Sequence, residues 1–428
     1  MYIAEAQLSF FTRPALHTKI PAYLNFTLIG KLLALPIPDL ILTVFNQKLK
    51  ISMKIKAAVL REMGKPGPYT ESKPFQIEEV ELDPPQQNEV LIKIHAAGLC
   101  HSDLSVIDGN RPRQMPMVLG HEAAGEVVEL GPGVKDLAIG DHVVFSFMPS
   151  CGHCNPCITS RPGLCENGVA ANGAGVLLEG GIRLSGRDGE QIYHHLGVSG
   201  FAEYTVASRQ SVVRIDKTLS WDIAALFGCA IITGVGAITN TAKLALGQTI
   251  LITGMGGIGF AALMGALAAG ASKVIVADIN EEKLKKALEL GAHSAVHSGE
   301  ENAIDKVKAL TNGGVDIGLE CAGVVPALDF TFKATRRGGK TVTVGLPNPA
   351  YRLEISPLQL VAEERTLQGS FLGSCVPPRD VPAYIALYQS GRLPVDKLLS
   401  HKLRLEDINE GFERMVKGEA IRQVIIFD

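Results

Sequence analysis

From Met53 onward, apolar and polar positions alternate over short runs. "KIKAAVL", "EVLIKIHAAG" and "AAGEVVELG" read as strands, and "GPGVKDLAIGDHVVF" adds turn glycines, Pro132 and a β-branched run. "FAEYTVA" and "SVVRI" continue the pattern, which predicts an irregular β-rich region. After about residue 220 the period changes. "DIAALFGCAIITGVGAITNTAKL" is helical and nearly uncharged, and the segment from "TILITG" to "LELGA" reads as strand, glycine turn, helix, strand, helix. "GVDIGLECAG" and "KTVTVGLP" are further apolar strands. Continuous apolar strands alternating with helices imply a parallel sheet covered on both faces. The tail returns to short mixed elements ending in "IRQVIIFD". The expected fold class is therefore α/β, with an open α/β domain inserted into a discontinuous β-rich domain.

Residues 23–45, "YLNFTLIGKLLALPIPDLILTVF", are apolar but interrupted by Lys31, Pro36, Pro38 and Asp39. They hold no clean run of about 18 to 20 apolar residues, so no membrane span is expected there. Nor do they show the order of a secretory signal. A second start-like sequence at Met53 suggests that the functional chain begins there, with residues 1–52 an extension of unknown role.

Composition narrows the class. With 428 residues, roughly two to three domains are expected. The chain is 46% hydrophobic and 20% charged, enough apolar material for sizeable cores. A net charge of −3 gives no reason to expect a nucleic-acid face. Eight cysteines, clustered in part, suit a metal protein of a reducing, cytoplasmic compartment.

Two features carry candidate chemistry. "GMGGIG" places Gly254, Gly256 and Gly259 in G-x-G-x-x-G spacing, with Gly257 and Ile258 inside it, between a strand and a small-residue helix. The next strand ends at Asp278, about 20 residues on, where a dinucleotide's ribose is held. Such a turn also occurs without a dinucleotide. Asp278 would repel a 2′-phosphate and no Arg follows it directly, which favours NAD over NADP. Lys283 could contact the ribose or be a solvated helix lysine.

The second feature is cysteine spacing. Cys151, Cys154, Cys157 and Cys165 fall within fifteen residues and suit a closed S₄ structural zinc site. Disulfides or an iron–sulfur cluster remain alternatives. Cys100, His121 and Cys229 are dispersed; two thiolates and an imidazole leave one position open on a tetrahedral zinc, the mark of a catalytic site. Taken singly, each is more often an ordinary core Cys or His.

"GLCHSD", "GHEAAGEVVELG", the four-cysteine lobe, "GCAIITGVGAI", "GMGGIG" and "ADINEEK", in that order, resemble the zinc-dependent medium-chain alcohol dehydrogenases from Met53 to the end. That family supplies the standard Cys₂His example of a catalytic zinc. The resemblance implies a GroES-like catalytic domain (53–230 and 370–428) and a Rossmann domain (231–369), with the site in the cleft between them. It implies two zincs per chain, the catalytic one on Cys100, His121 and Cys229 and the structural one on the lobe. It implies Ser102 as the group that receives the alcohol proton, Asp103 as the residue orienting His121, and Glu122 behind the metal. His101 and Arg422 match positions that touch the pyrophosphate, Thr233 lies near the nicotinamide, and Phe147 matches a pocket wall, though alone it reads as a core aromatic. The implied reaction is reversible oxidation of an alcohol to an aldehyde or ketone, with hydride passing to NAD. Homodimers or homotetramers are implied as well, with the sheet edge near "KTVTVGLP" as interface.

Two departures from the family pattern matter. Ser105 stands where relatives often carry a proton-shuttling His, which predicts weaker relay control and leaves His101 or solvent as the last carrier. "CENGVAANGAG" lacks the Arg that meets a glutathione carboxylate in the formaldehyde-oxidising branch, so simple or aromatic alcohols are expected. A polyol or amino-alcohol dehydrogenase and a non-enzymatic zinc-stabilised dinucleotide-binding protein are the rival expectations. Zinc content separates the second, which needs only one zinc per chain.

Overall fold

The computed structural model describes residues 52–428. The apolar segment 23–45 and the expected extension lie outside them; Met53 opens the first strand, Met53–Leu60. Two β assemblies and one parallel sheet make up the described chain. Met53–Leu60, Phe75–Leu82, Leu184–Ser185, Gln191–His194 and Met117–Val118 close a five-stranded barrel. Beside it stands a seven-stranded sheet centred on Glu89–Leu99, which pairs with Glu122–Leu130, Tyr204–Ser208 and the C-terminal strand Arg422–Ile426. Gln423 lies opposite Leu99, so the end of the chain is hydrogen-bonded to the strand that runs into Cys100.

The second layer system is a six-stranded sheet in which every pairing is parallel: Ser294–His297, Lys273–Asp278, Thr249–Thr253, Val315–Glu320, Thr335–Thr343 and Thr366–Gly369. The middles of its central strands are apolar because helices cover both faces: Ile250, Leu251, Ile252, Val274, Ile275 and Val276 are all fully buried. One expectation needs correction. "KTVTVGLP" does not form the sheet edge; its strand is flanked by Thr366–Gly369, which is the edge. That four-residue strand is half polar and too short to show a period, so the sequence pattern does not announce it.

Between the two systems runs Trp221–Ala242, the one helical stretch among the described residues long and apolar enough to cross a membrane. Since 89% of its most apolar window is buried inside the protein, it is a core helix. It is not a uniform α-helix: Phe227–Ile231 and Ala237–Ala242 widen into π-turns. Such bulges re-aim side chains and recur at functional sites. Cys229 lies in the first of them.

Candidate active site

The site grows from three chain turns. The strand Glu89–Leu99 ends at Cys100, which takes an extended conformation (φ −132°, ψ 153°) and caps the helix His101–Ile107. Asp103, three residues into the cap, accepts the backbone N–H of Cys100 at 3.3 Å and that of Gly120 at 3.2 Å. This reciprocal cap fixes the Cys100 side chain and draws Asp103 into the interior. Gly120 has φ +89°, and a Cβ there would come within 2.7 Å of Phe201; only glycine permits the turn that delivers His121. The π-turn then brings Cys229 to the same place.

Metal-binding atoms of Cys100, His121, Glu122 and Cys229 all lie within 4.8 Å of one another, and all four residues are buried. The thiols of Cys100 and Cys229 interact directly. Their contact pulls the pKa of Cys100 well down and pushes that of Cys229 well up. A lowered thiol pKa favours the thiolate, the form that binds a metal. Behind the thiols, Asp103 Oδ1 lies 3.0 Å from His121 Nδ1, which leaves Nε2 facing the cysteines. That nitrogen is buried with no hydrogen-bond partner. Burial pushes the Glu122 carboxyl up to about 8, against the pull of Arg422.

A residue absent from the sequence-based expectations joins this group. His195 is 2% exposed, and its Nδ1 lies 3.3 Å from the same Asp103 oxygen, so one carboxylate faces two imidazoles. Burial disfavours charge on Asp103, but His121 and His195 together hold its carboxyl below the ordinary range. Nothing in the spacing of "YHHLGVSG" announces the contact. A pair of histidines closing a strand next to a glycine turn is the only signal.

The dinucleotide candidates surround the other side. Gly254 has φ +91°, a Cβ on Gly259 would sit 2.0 Å from the Gly254 carbonyl, and Gly256 faces open space at the N-terminus of the helix Gly257–Ala268. A cradle of that kind fits a pyrophosphate. Asp278, at the end of its strand, accepts Met255 N–H at 2.6 Å and Asn280 N–H at 2.9 Å. Lys283 follows in the helix Glu281–Glu289, and its charge reaches His101. Desolvation lowers the His101 pKa, and the cations Arg422 and Lys283 push it the same way. Arg422 links the two halves. It donates to Glu122 Oε1 at 3.0 Å and to the Leu99 carbonyl at 3.3 Å, while a Cβ on Gly257 would meet its Nε at 2.1 Å. Its Nε and the hydroxyl of Thr233 are buried without partners.

The lobe is separate and of another character. Its four sulfurs also lie within 4.8 Å of one another, but Cys151, Cys154 and Cys157 are only half-buried. Cys151 N–H and Gly168 N–H both donate to Cys165 Sγ, at 3.2 and 3.3 Å. None of the eight cysteines forms a disulfide. Zinc–sulfur bonds of about 2.3 Å give tetrahedron edges of about 3.8 Å. Cys154 and Cys165 sulfurs are 3.8 Å apart.

Phe147 stands edge-on to His121, with ring centroids 5.6 Å apart, and edge-on to Phe371 at 5.9 Å. Phe371 in turn lines a cleft of about 430 Å³ bounded by Arg161, Leu164, Gly345 and Leu346. A larger groove of about 630 Å³, between residues 65–77 and 406–410, contains none of the candidate residues. Ser102 is half-buried on the first turn after Cys100. Ser105 turns its hydroxyl to the His101 carbonyl, 2.9 Å away.

An open thiolate–imidazole set beside a dinucleotide cradle defines a class, the metal-assisted nicotinamide oxidoreductases. The orphaned His121 Nε2, the two clustered thiols, the Gly256 opening and the unpartnered Arg422 and Thr233 atoms all fit zinc and a dinucleotide. Comparison with known proteins agrees. Residues 86–217 match the alcohol dehydrogenase GroES-like domain, and residues 257–390 match the zinc-binding dehydrogenase family. The chain is 35% identical over 384 residues to an S-(hydroxymethyl)glutathione dehydrogenase of Paracoccus denitrificans, covering 88% of this chain and all of that one. An alcohol dehydrogenase zinc-binding domain protein from Burkholderia ambifaria superposes with a TM-score of 0.83 at 34% identity. A benzyl alcohol dehydrogenase from Acinetobacter calcoaceticus does so with 0.82 at 32%. Each structure covers 88% of this chain and is itself covered completely. The chain belongs to the zinc-containing medium-chain alcohol dehydrogenases, an oxidoreductase family that uses zinc and a nicotinamide dinucleotide.

Proposed function

We propose that this protein catalyses the reversible NAD-dependent oxidation of primary alcohols, alkyl or aromatic, and of secondary alcohols, to aldehydes or ketones. The observation that carries the reading is the convergence of Cys100, His121 and Cys229 one ring away from Phe147 and one side chain, Arg422, away from the glycine turn. Bound zinc supplies a Lewis acid for the substrate oxygen, and the dinucleotide supplies the hydride acceptor. Cys100, His121 and Cys229 hold the catalytic metal, and the four lobe cysteines hold the structural one. Asp103 fixes the His121 tautomer through Nδ1, so that Nε2 stays free to bind. Ser102 takes the alcohol proton and hands it on toward the cofactor ribose and His101. Phe147 and Phe371 wall the reacting atoms from water. Arg422, His101, Thr233 and the turn Gly254–Gly259 bind the dinucleotide. Asp278 and Lys283 hold its ribose, and the Asp278 charge disfavours a 2′-phosphate.

A second reading, oxidation of S-(hydroxymethyl)glutathione, is favoured by the Paracoccus denitrificans relative. Against it stands the stretch 166–175, which follows the last lobe cysteine without an Arg or Lys. We further read the protein as a cytoplasmic homodimer or homotetramer. The exposed Leu358 and Val361 beside the edge strand Thr366–Gly369 support a pairing face there. NADH formation across ethanol, longer alkyl alcohols, benzyl alcohol, polyols and hydroxymethylglutathione tests the reading, with NADP as control. Turnover of primary or aromatic alcohols with NAD is expected. No turnover by protein carrying two zincs removes it.

A further inference from the structure

Buried arginines in this protein come with carboxylates. Arg183 is paired with Glu89 at 2.7 Å, Arg422 with Glu122 at 3.0 Å and Arg365 with Glu363 at 2.5 Å. Arg111 and Arg113 break that pattern. Both are half-buried in the loop after the helix that begins at His101, and neither forms an ion pair among the described residues. The Nε of Arg113 is buried with no hydrogen-bond partner. Arg111 has one side-chain bond, to the Leu346 carbonyl at 3.0 Å. The nearby carboxylate, Asp108, is occupied by the backbone and side chain of Asn110 at 2.9 and 2.8 Å. Desolvation depresses the pKa of both guanidiniums, and the Arg113 charge adds to the depression at Arg111. Leaving a partly buried guanidinium unpaired is costly, and an incoming anion would offset that cost.

The place is also informative. Leu346, whose carbonyl takes the Arg111 bond, is a wall of the 430 Å³ cleft, and Arg161 of the cysteine lobe lines the same cleft without an ion pair. Phe371, a wall of this cleft, packs edge-on against Phe147, which packs edge-on against His121. Arg111 thus holds one wall residue of this cleft, Leu346, while Arg161, from a different element, lines the cleft itself. A planar guanidinium fork suits a carboxylate better than any neutral group.

We propose that Arg111 and Arg161, backed by Arg113, form a receptor for a carboxylate carried by the alcohol substrate at the end remote from its carbinol. This rests on the dehydrogenase reading and narrows it to anionic alcohols. The carboxylate can belong to an aromatic acid or to the thiol half of an S-hydroxymethyl adduct. It also gives such an adduct a cationic partner that residues 166–175 lack.

The test uses the zinc-loaded enzyme with NAD and a pair that differs by one carboxylate, 4-(hydroxymethyl)benzoate and benzyl alcohol. The native ratio of kcat/KM should favour the carboxylate by about tenfold or more. Arg161→Gln, at an exposed site that tolerates change, and Arg111→Met should each cut that ratio about tenfold through KM. Arg111→Lys should restore part of it, which a purely structural role would not do. A native ratio of one or less overturns the receptor while leaving the dehydrogenase reading intact. So does a loss that falls on KM for NAD instead. Hydroxymethylglutathione, run alongside, identifies the source: preference for it over 4-(hydroxymethyl)benzoate assigns the receptor to thiol adducts. If neither alcohol turns over, the dehydrogenase reading fails, and calorimetric titration of terephthalate decides the receptor separately. Binding that Arg111→Met and Arg161→Gln abolish supports it, and no binding removes it.

Discussion

The two cysteine sites use the same ligand chemistry for opposite ends. In the lobe, four thiols sit within fifteen residues, three are half-buried, and backbone N–H groups of the same short segment, such as those of Cys151 and Cys154, already point at sulfur. The Cys100 set draws its members from three distant turns, buries them, and leaves an imidazole nitrogen without a partner. A local, saturated set can do little but hold chain together. A dispersed and unsaturated one has been carried by the fold to a place where something else must bind. On the proposed assignment, the fold positions one site, and the other site positions the fold around it.

The largest expected effect separates these roles most directly. Cys229→Ser should lower kcat by roughly 10³-fold or more, since several kcal/mol of charge stabilisation depend on the bound metal. Zinc content should fall from two per chain to one, and the thermal midpoint should stay close to native. Retained activity in a one-zinc Cys229→Ser protein would dissolve the distinction between the sites.

Cys157→Ser should show the reverse balance. One zinc is again lost, but the thermal midpoint falls, on the order of 5 °C or more, because metal binding there is folding energy. The fraction that remains folded keeps its activity per catalytic zinc. Measuring midpoint and specific activity on the same preparations checks this. A stable variant with an empty catalytic site would invert the assignment of the two sites.

Much of this contrast was legible in the chain before folding. Short gaps between Cys151, Cys154, Cys157 and Cys165 need no tertiary information, and the run "SKVIVADINEEK" declares strand and helix by pattern alone. The convergence of Cys100, His121 and Cys229 was readable only through family resemblance, because separations of 21 and 108 residues say nothing about distance. What stayed hidden was set by neighbours rather than by period. The two-residue strands Met117–Val118 and Leu184–Ser185 close the barrel but are too short to alternate. The π-turn at Cys229 carries no composition signal. His195 and Arg111 look like ordinary polar residues until the fold shows what each one faces, or fails to face.

Acid offers a subtler probe of the lobe's surroundings. His194 is fully buried; its ring Nε2 accepts the Arg183 backbone N–H at 3.1 Å, and its backbone N–H donates to the Gly175 carbonyl at 2.8 Å. It thus pins the segment that leaves the lobe. Burial, helped by Arg183, pushes its pKa down to about 3 from 6.5. A depressed histidine pKa means that the unfolded chain binds the proton first. Stability is therefore fully present above 6.5 and is lost as pH falls from there toward 3, at up to about 1.4 kcal/mol per unit. Hydrogen exchange in residues 175–183 should accelerate on acidification before that of the parallel sheet does. His194→Gln, which can accept the same bond without titrating, should flatten the trend. Equal pH slopes in the two proteins would show that His194 does not set the acid response.

The smallest effect concerns the open site's exit to water. Ser105 occupies the position of a shuttle but spends its hydroxyl on the His101 carbonyl. On the proposed relay, a proton leaving Ser102 depends on His101 or on solvent, and buffer bases should raise the native rate when proton transfer is slow. His101 is disfavoured as a base because desolvation and the cations Arg422 and Lys283 depress its pKa. An imidazole at position 105 would work nearer its ordinary pKa and reach bulk water directly. Ser105→His is expected to raise turnover at low buffer by about two- to fivefold, to remove most of the buffer dependence, and to bring a histidine-like inflection into the pH–rate profile. If the profile and the buffer dependence are both unmoved, the proton already has another route, and the relay ends at a group other than the one the helix places at 105.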